Sequence, residues 1–425
     1  MDRKAKLLLG LLPAIFAGFI CYVAYRTRPV HTPRRRWKRF YRPGTEPIDA
    51  QICQRLEGVY KIGKGKSFFG ETAVLKWSYV VEKEKTIHKL SLFCEKSGLY
   101  IICEGRRTGS EILLSGHWRR AAANGSGVVQ LVVPSKDLSI SLQESLVLQG
   151  LFGEGDNAPN QGISFHYQDA LPRKLPLEII GHRGGARNVD FLPVSENTLD
   201  MLKMAAALGA TGVEIDVRLT KDEVPVIFHD SFLSVHTIKG KLYAGLLHDY
   251  TYDKLRKIEL RKGGFIPTLE ECLHTMLYQT PLQTVWLDIK KECDLGEILK
   301  LQKEYSERAK TIGRNFHIYI GIPDQTILKC FKQVPDHRQV SSLTELEPEV
   351  ALEIGAMVWA PQYTNGRQQE NVAKIHSAGG KAFIWSLDSK VMIDLFLDGN
   401  RFDGVATNTP SVVAHWHYTS ARKMR

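Results

Sequence analysis

Two histidines and a pair of carboxylates lie within residues 177–230 and could together move protons beside a bound cation. His182 and His229 each follow a short apolar run, and Glu214 and Asp216 lie between them in Gly-Val-Glu-Ile-Asp-Val. Imidazole suits general acid–base catalysis because its ordinary pKa lies near neutrality. Two carboxylates two residues apart in a strand share one face, which is costly unless a cation or a lysine lies between them. We therefore expect a cation-binding catalytic site.

The elements that must position these side chains are three strands and a helix. Residues 177–181, 212–217 and 225–228 are predicted strands, and 196–209 is a predicted helix between the first two. Polar side chains at the C-terminal ends of such strands are typical of the active face of an α/β barrel. The alternative is an ordinary α/β domain whose acids and histidines are only solvated or paired. The combination of features in this order argues against it.

Further motifs continue downstream, and the whole set resembles the glycerophosphodiester phosphodiesterase family over about residues 177–412. The resemblance implies a TIM-type (β/α)8 barrel and a phosphoric diester hydrolase that releases an alcohol and glycerol 3-phosphate. It is carried by His182-Arg183-Gly184, Glu196-Asn197-Thr198, Glu214-x-Asp216, His229-Asp230, residues 266–271, Leu287-Asp288-Ile289-Lys290, Trp385-Ser386 and residues 402–410.

The same resemblance implies roles for individual side chains. They are general acid–base catalysis by His182 and His229, a Mg²⁺ or Ca²⁺ site at Glu214, Asp216 and Asp288, phosphate binding by Arg183 and Lys290, and substrate binding by Trp385. Which histidine is the base stays open, as does whether the attacking group is water or a neighbouring glycerol hydroxyl. Trp385 has an equally good interpretation as barrel core.

Two departures from the family pattern affect what can be expected of the substrate. Asp288 stands where the family often has Glu, and residues 233–237 replace a Leu-Asp-Arg-Thr-like run. Glycerophosphodiesters are the expected substrates. The alternatives are a lysophospholipase D acting on lysophospholipids and, from another class, a non-catalytic protein that binds a lipid or a partner.

The part of the chain before the barrel has a different character. We predict three domains: residues 1–44, a β-rich accessory domain at 45–172, and the phosphodiesterase-like barrel at 173–425. Short alternating runs separated by Gly, Ser and Asn predict about eight strands in an antiparallel barrel or sandwich, with a linker at 153–175. Such a barrel could hold an apolar ligand or serve only as a spacer. Cys94 and Cys103 could pair across a hairpin in an oxidising compartment.

Positive charge is concentrated at the N-terminus. Residues 1–42 carry eleven Lys and Arg and one Asp, which accounts for +10 of the formal +11, so the remaining chain is not expected to bind nucleic acid. Residues 7–25 are uncharged and predict a transmembrane helix, with single-pass membrane localisation and the body in the cytoplasm. The basic run behind this stretch would either lie on anionic lipid headgroups or act only as a stop-transfer flank.

Overall fold

The alternating and continuous apolar runs of the sequence form two separate sheets. The structure is a computed structural model that describes residues 3–121, 123–134, 146–172, 176–240, 243, 245–290, 294–399 and 401–420. Within these ranges the first sheet is antiparallel and the second is mainly parallel, and each closes on itself. The chain therefore contains two β-barrels in succession.

The first barrel is an up-and-down antiparallel barrel. In the described residues each of the strands β2 to β9 pairs with the next, and β9 returns to β2. The prediction of an antiparallel barrel or sandwich is thus confirmed in its barrel form. The strands are β1 (Glu46–Pro47), which pairs with β5, then β2 (Gly58–Ile62), β3 (Thr72–Glu82), β4 (Lys85–Cys94), β5 (Leu99–Arg107), β6 (Glu111–Arg120), β7 (Ser126–Pro134), β8 (Val147–Glu154) and β9 (Gln161–Asp169).

Alternation along β5 shows how this barrel is filled. Leu99, Ile101 and Cys103 point into a closely packed apolar interior, while Tyr100 and Glu104 face outward. Cys94 also lies in the interior, and both cysteines are free thiols, so the suggested disulfide is not present.

The predicted linker at 153–175 is wrong for most of its length. Strand β8 continues to Glu154, and residues 161–169 form β9, the strand that closes the antiparallel barrel against β2. The Gly, Asn and Pro residues that suggested a linker belong mainly to the β8–β9 turn. Turn residues and linker residues have similar composition, so composition alone cannot separate them.

The second barrel is the TIM-type barrel that the motifs predicted. Its parallel strands, as far as the chain is described, are β10 (Glu178–Gly181), β11 (Gly212–Leu219), β13 (Thr284–Ile289), β14 (His317–Ile322), β15 (Ser342–Thr344), β16 (Val358–Trp359), β17 (Lys381–Ile384) and β18 (Gly404–Thr407). Pairing of β10 with β18 closes the ring. The predicted strand at 225–228 is β12 (Pro225–Ile227), which lies antiparallel on β11 outside the ring.

The helices of the described residues form two groups, one near the N-terminus and one that accompanies the parallel strands of the second barrel. Near the N-terminus are α1 (Arg3–Arg26), α2 (Ala50–Leu56) and α3 (Lys66–Phe69), and the helices of the second barrel are α4 (Leu199–Ala205), α5 (Tyr252–Leu255), α6 (Leu269–Gln279), α7 (Gly296–Thr311), α8 (Gln325–Lys332), α9 (Pro348–Ile354), α10 (Gln369–Ser377), α11 (Lys390–Leu397) and α12 (Pro410–Thr419). The predicted helix at 196–209 is shorter, because Thr198 caps α4, which begins at Leu199.

Strand β11 shows how the parallel barrel sorts its side chains. Val213, Ile215 and Val217 pack outward with the helices in one buried cluster. Glu214 is the register partner of Trp286, whose side chain belongs to the cluster that fills the barrel interior. Since alternate residues share a face, Glu214 and the residue two positions on both face inward.

The predicted membrane anchor is wrong. Helix α1 covers residues 7–25, yet the described residues contain no helix with the length and apolar character that a bilayer crossing requires. Instead, the last turn of α1 contacts the second barrel: Tyr25 packs edge-on against Phe191, and Arg26 Nε donates to Val189 O at 2.9 Å. The expected single-pass membrane localisation, and the membrane as a partner through this helix, are corrected accordingly. A count of uncharged residues does not detect such packing.

The two barrels share a buried interface. Val74, Phe93 and Tyr100 project from the outer face of the antiparallel barrel into the apolar cluster of the second barrel that contains Ala414 and Trp416. A polar contact lies in the same interface, where Thr72 Oγ1 and His415 Nε2 are 3.1 Å apart. The antiparallel barrel therefore packs directly on α12.

Candidate active site

Three carboxylates converge inside the mouth of the parallel barrel. Asp216 on β11 and Asp288 on β13 are register partners, and Glu214 lies one step deeper on the same face. One oxygen from each carboxylate lies within 4.8 Å of the others. Lys290 pairs with two of them, and its Nζ is 2.8 Å from Asp216 Oδ1.

Burial shifts the pKa values of the carboxyl groups in this cluster. Burial, then the charges of Asp216 and Asp288, raise the pKa of Glu214 well above its ordinary value. Burial also raises the pKa of Asp288. Burial would raise the pKa of Asp216 too, but nearby cations, chiefly Lys290, hold it below its ordinary value. Glu214 Oε1 and Asp288 Oδ1 are buried without a hydrogen-bond partner in the described structure. An oxygen-rich group of this kind fits a divalent cation.

A tight loop after β10 carries Arg183 into the site. Arg183 has φ +54°, in the left-handed region, and this turn directs its backbone N–H to Glu214 Oε2 at 2.8 Å. Its guanidinium donates to Glu196 Oε1 at 3.0 Å and to His229 Nε2 at 2.8 Å. Arg183 thus connects one histidine to the carboxylate cluster.

Each residue of the Glu196-Asn197-Thr198 motif makes a different structural contact. Glu196 pairs with Arg183, Asn197 Nδ2 donates to Asp216 Oδ2 at 2.5 Å, and Thr198 caps α4. The sequence identified the motif through the family resemblance but gave these residues no roles. Each of them holds a site residue, or the helix beside it, in place.

His182 is oriented by Asn408, which lies in the 402–410 motif but was given no role from the sequence. Its Nδ1 lies 2.8 Å from Asn408 Oδ1, and Asn408 Nδ2 donates to Asp388 Oδ2 at 2.7 Å, which fixes the direction of the amide. Nδ1 of His182 is therefore the donor, and Nε2, 3.8 Å from Glu214 Oε2, faces the site. Burial, reinforced by Arg183, lowers the pKa of His182 to about 4, so the ring is neutral at pH 7.

His229 is held from both sides of its ring. Its Nδ1 is 2.8 Å from Asp230 Oδ1, and its Nε2 accepts from Arg183. Its carbonyl oxygen accepts from Arg218 Nε at 2.9 Å. A carboxylate on one ring nitrogen selects the tautomer and orientation of the other. His182 and His229 therefore approach the carboxylates from two different strand ends, β10 and β12.

Two further side chains lie near the barrel mouth. Trp385 directly follows β17, packs partly buried against the interior cluster and donates from Nε1 to Ala360 O at 2.9 Å. Glu345 directly follows β15 and was not singled out from the sequence. Burial, followed by the charge of Asp288, raises the pKa of Glu345 to about 8. Its neighbours in sequence carry no chemical motif, so only the fold brings it to the site.

Known proteins match the same part of the chain. The glycerophosphoryl diester phosphodiesterase family matches residues 182–412. A glycerophosphodiester phosphodiesterase of Caldanaerobacter subterraneus subsp. tengcongensis is 30% identical over 251 residues, which cover 55% of this chain and 95% of that protein. Glycerophosphodiester phosphodiesterase 1 of Mus musculus is 35% identical over 163 residues, covering 34% of this chain and 46% of the mouse protein.

Among solved structures, a glycerophosphodiester phosphodiesterase from Parabacteroides distasonis aligns with 20% identity and a TM-score of 0.45, covering 57% of this chain and 96% of that one. The family match extends over more than half of the chain, and its first motif begins at His182. The chain therefore belongs to the glycerophosphodiester phosphodiesterase family and is a hydrolase of phosphoric diesters.

Proposed function

We propose that the protein hydrolyses glycerophosphodiesters to an alcohol and glycerol 3-phosphate, with a divalent cation and with His182 and His229 as the proton-transfer pair. The observation that carries the proposal is the carboxylate cluster of Glu214, Asp216 and Asp288, whose oxygens lie within 4.8 Å of one another. A structural ion-pair network would leave fewer of these buried oxygens without a partner.

The cation would be held by these three carboxylates. When bound, a divalent cation supplies positive charge that offsets the negative charge developing on the phosphoryl oxygens. The partnerless oxygens Glu214 Oε1 and Asp288 Oδ1 support this assignment. Either Mg²⁺ or Ca²⁺ accepts oxygen ligands of this type, so the metal is decided by experiment.

Cationic side chains would bind the phosphate group of the substrate. Arg183 presents a guanidinium that can form paired hydrogen bonds to two phosphate oxygens, and Lys290 adds a compact positive charge beside Asp216 and Asp288. Both already contact carboxylates, so their positions are fixed before the substrate arrives. This preorganisation supports binding of the diester in one orientation.

The two histidines would divide the proton transfers. His182 is neutral at pH 7 because burial lowers its pKa to about 4, and its Nε2 faces the site, so we assign it as the general base for the attacking hydroxyl. His229, oriented by Asp230, would protonate the leaving alkoxide from Nε2. For this step the ring must carry a proton on both nitrogens, so Nε2 would exchange the hydrogen bond that it accepts from Arg183 for a proton taken from solvent. Trp385 would contact the substrate alcohol from the end of β17.

The test is a turnover assay with the purified full chain. It offers glycerophosphocholine and lysophosphatidylcholine in parallel, each with Mg²⁺, with Ca²⁺ and with EDTA. We expect metal-dependent release of glycerol 3-phosphate from glycerophosphocholine. Release of lysophosphatidic acid instead would favour the lysophospholipase D alternative. Absence of product from both substrates with both metals would favour a non-catalytic binding protein.

Matched histidine variants test the proton-transfer pair. His182→Ala and His229→Ala should each lower kcat by about a hundred- to ten-thousand-fold, the usual contribution of a general acid or base. His274→Ala is the control, because His274 is exposed on α6, where its ring packs at a tilt against that of Tyr278. Full activity in either site variant would refute the assignment.

A further inference from the structure

A cavity of about 190 Å³ lies between the antiparallel barrel, the N-terminal segment and the second barrel. One water molecule needs only about 10–15 Å³, so the cavity has room for a small ligand. It lies outside the active site described above. Its walls include Arg35 of the N-terminal segment, Lys89, Tyr100, Glu104 and Arg119 of the antiparallel barrel, and Met204 of the second barrel.

Arg119 in this cavity is a buried cation without a counter-ion. Its side chain is on the outer face of β6, and the residue is only 6% exposed. Its NH2 group donates to His31 O at 3.2 Å and to Thr32 Oγ1 at 3.1 Å, both neutral acceptors. No carboxylate of the described residues forms an ion pair with it. A buried charge is expensive unless an opposite charge accompanies it.

Tyr100 supplies a second unsatisfied group beside Arg119. The two residues are register partners on β5 and β6, so their side chains are neighbours on the outer face. Tyr100 is 3% exposed, and its hydroxyl has no hydrogen-bond partner among the residues described. A hydroxyl buried without a partner requires an explanation, and a bound ion or water molecule is one of them.

The remaining charges of the cavity also leave a positive excess. Lys89 Nζ and Arg35 NH2 both donate to Glu104 Oε1, at 2.7 and 3.3 Å. The three cations Lys89, Arg35 and Arg119 face one carboxylate, which leaves two positive charges. His117 adds none at pH 7, because burial lowers its pKa below the ordinary value.

Lys262 is a second buried cation near Arg119. Lys262 is 7% exposed, and its Nζ has no partner within the described part of the chain. Burial lowers the pKa of Lys262 to about 8; Asp190 and Glu196 oppose the shift, while Arg26 and Arg119 add to it.

We propose that this interdomain cavity binds a phosphate group, with Arg119, Tyr100 and Lys89 as the main donors. A phosphate monoester dianion matches the two excess charges, and a guanidinium with an adjacent hydroxyl matches its several acceptor oxygens. The cavity accommodates inorganic phosphate or the headgroup of a lipid. A bound phosphate would contact all three parts of the molecule that meet there.

The experiment measures phosphate binding to the full chain by isothermal titration calorimetry in EDTA. The protein titrated is the full-length Lys290→Ala variant, in which phosphate binding at the active site is weakened. The probes are inorganic phosphate and dihexanoyl phosphatidate. Binding of the first identifies a small anion as the ligand, and binding of the second alone identifies a lipid headgroup. If neither probe binds, the proposal is overturned, whatever the turnover assay finds.

Variants of the cavity then locate the bound phosphate. Arg119→Met should weaken binding by at least about tenfold, the scale of a charge-assisted hydrogen bond. Arg120→Met is the matched control: it removes the same charge one residue away, where the side chain lies over Phe68 instead. Tyr100→Phe should also weaken binding while preserving the fold, because it removes only an unpartnered hydroxyl. Unchanged affinity in both Arg119→Met and Tyr100→Phe would contradict the assignment.

Discussion

The orientation of His182 depends on a side chain far away in sequence. Asn408 lies 226 residues downstream and accepts the Nδ1 hydrogen at 2.8 Å. We predict that Asn408→Ala lowers kcat about 10- to 100-fold, with a smaller change in KM, because groups that orient a reacting side chain contribute on this scale. Asn371→Ala on α10 is the control, since the side-chain amide of Asn371 donates to Gln368 Oε1. Steady-state kinetics distinguish the two variants, and equal kcat values would count against the positioning role.

Because of Glu345, the folded protein should lose stability as the pH rises. Burial raises its folded-state pKa to about 8 from an ordinary 4.5, so the folded protein keeps a proton that the unfolded chain releases. Stability from this group is complete below pH 4.5 and is lost as the pH rises to about 8. Calorimetry in EDTA should show that the Tm of Glu345→Gln falls less than that of the wild type over this range. Glu347→Gln, a variant of an exposed neighbour, should show the same change of Tm with pH as the wild type. If the Tm of Glu345→Gln also changes in parallel with that of the wild type, the prediction is wrong.

Sequence motifs identified the candidate reactive groups more readily than the residues that hold them. His182, Glu214 and Asp216 were found because their chemistry and strand spacing coincide. Asn408 was part of the 402–410 motif but received no role, and Glu345 was not singled out, because each reaches the site only through strand pairing, such as the β10–β18 contact that closes the barrel. A linear pattern carries no signal for contacts that depend on closure.

At the scale of elements, the motif at residues 266–271 has a structural explanation. Thr268 Oγ1 accepts from the backbone N–H of Glu271, and Glu271 Oε2 accepts from the backbone N–H of Thr268, which forms a capping box on α6. We predict that Thr268→Ala lowers the free energy of unfolding by about 0.5–2 kcal/mol and leaves kcat unchanged. Thr326→Ala is the control: Thr326 is exposed in the first turn of α8, where Asp324 is the cap. Urea unfolding measures the difference, and a large loss of kcat in Thr268→Ala would show a role beyond capping.

Strands were predicted more reliably than their roles. Residues 225–228 were recognised from their apolar run, but the run does not reveal that β12 pairs antiparallel outside the ring. The stretch at 161–169 alternates Ile163 and Phe165 with polar residues, which is strand periodicity, yet the preceding Gly, Asn and Pro residues suggested a linker. In both cases the local signal was present and the partner strand was not visible.

At the scale of the whole molecule, the same limit explains the N-terminal error. Residues 7–25 satisfied a count of uncharged positions, but the contacts of Tyr25 and Arg26 with the second barrel depend on a loop more than 160 residues away. The basic run that follows lies on the antiparallel barrel, where Arg35 and Arg39 pair with Glu104 and Glu111. Charge patterns along a chain do not distinguish a lipid surface from an acidic protein surface.

The interface between the two barrels should weaken in acid through His415. This residue is 8% exposed and contacts Thr72, and burial lowers its folded-state pKa to about 4 from an ordinary 6.5. In the unfolded chain His415 is protonated below about pH 6.5, whereas in the folded chain it is protonated only below about pH 4. The stability that this group contributes is therefore complete above pH 6.5 and falls as the pH drops to 4. The shift corresponds to about 3 kcal/mol at 1.36 kcal/mol per pKa unit.

His415→Gln keeps a side chain that can contact Thr72 and removes this titration. Calorimetry between pH 7 and pH 4 should therefore show a smaller drop in Tm for His415→Gln than for the wild type. His274→Gln, on an exposed face of α6, should lose as much as the wild type. If His415→Gln and the wild type lose stability equally, another group governs the acid sensitivity of the interface. A smaller loss in the variant would identify the contact between the barrels as one acid-sensitive part of the fold.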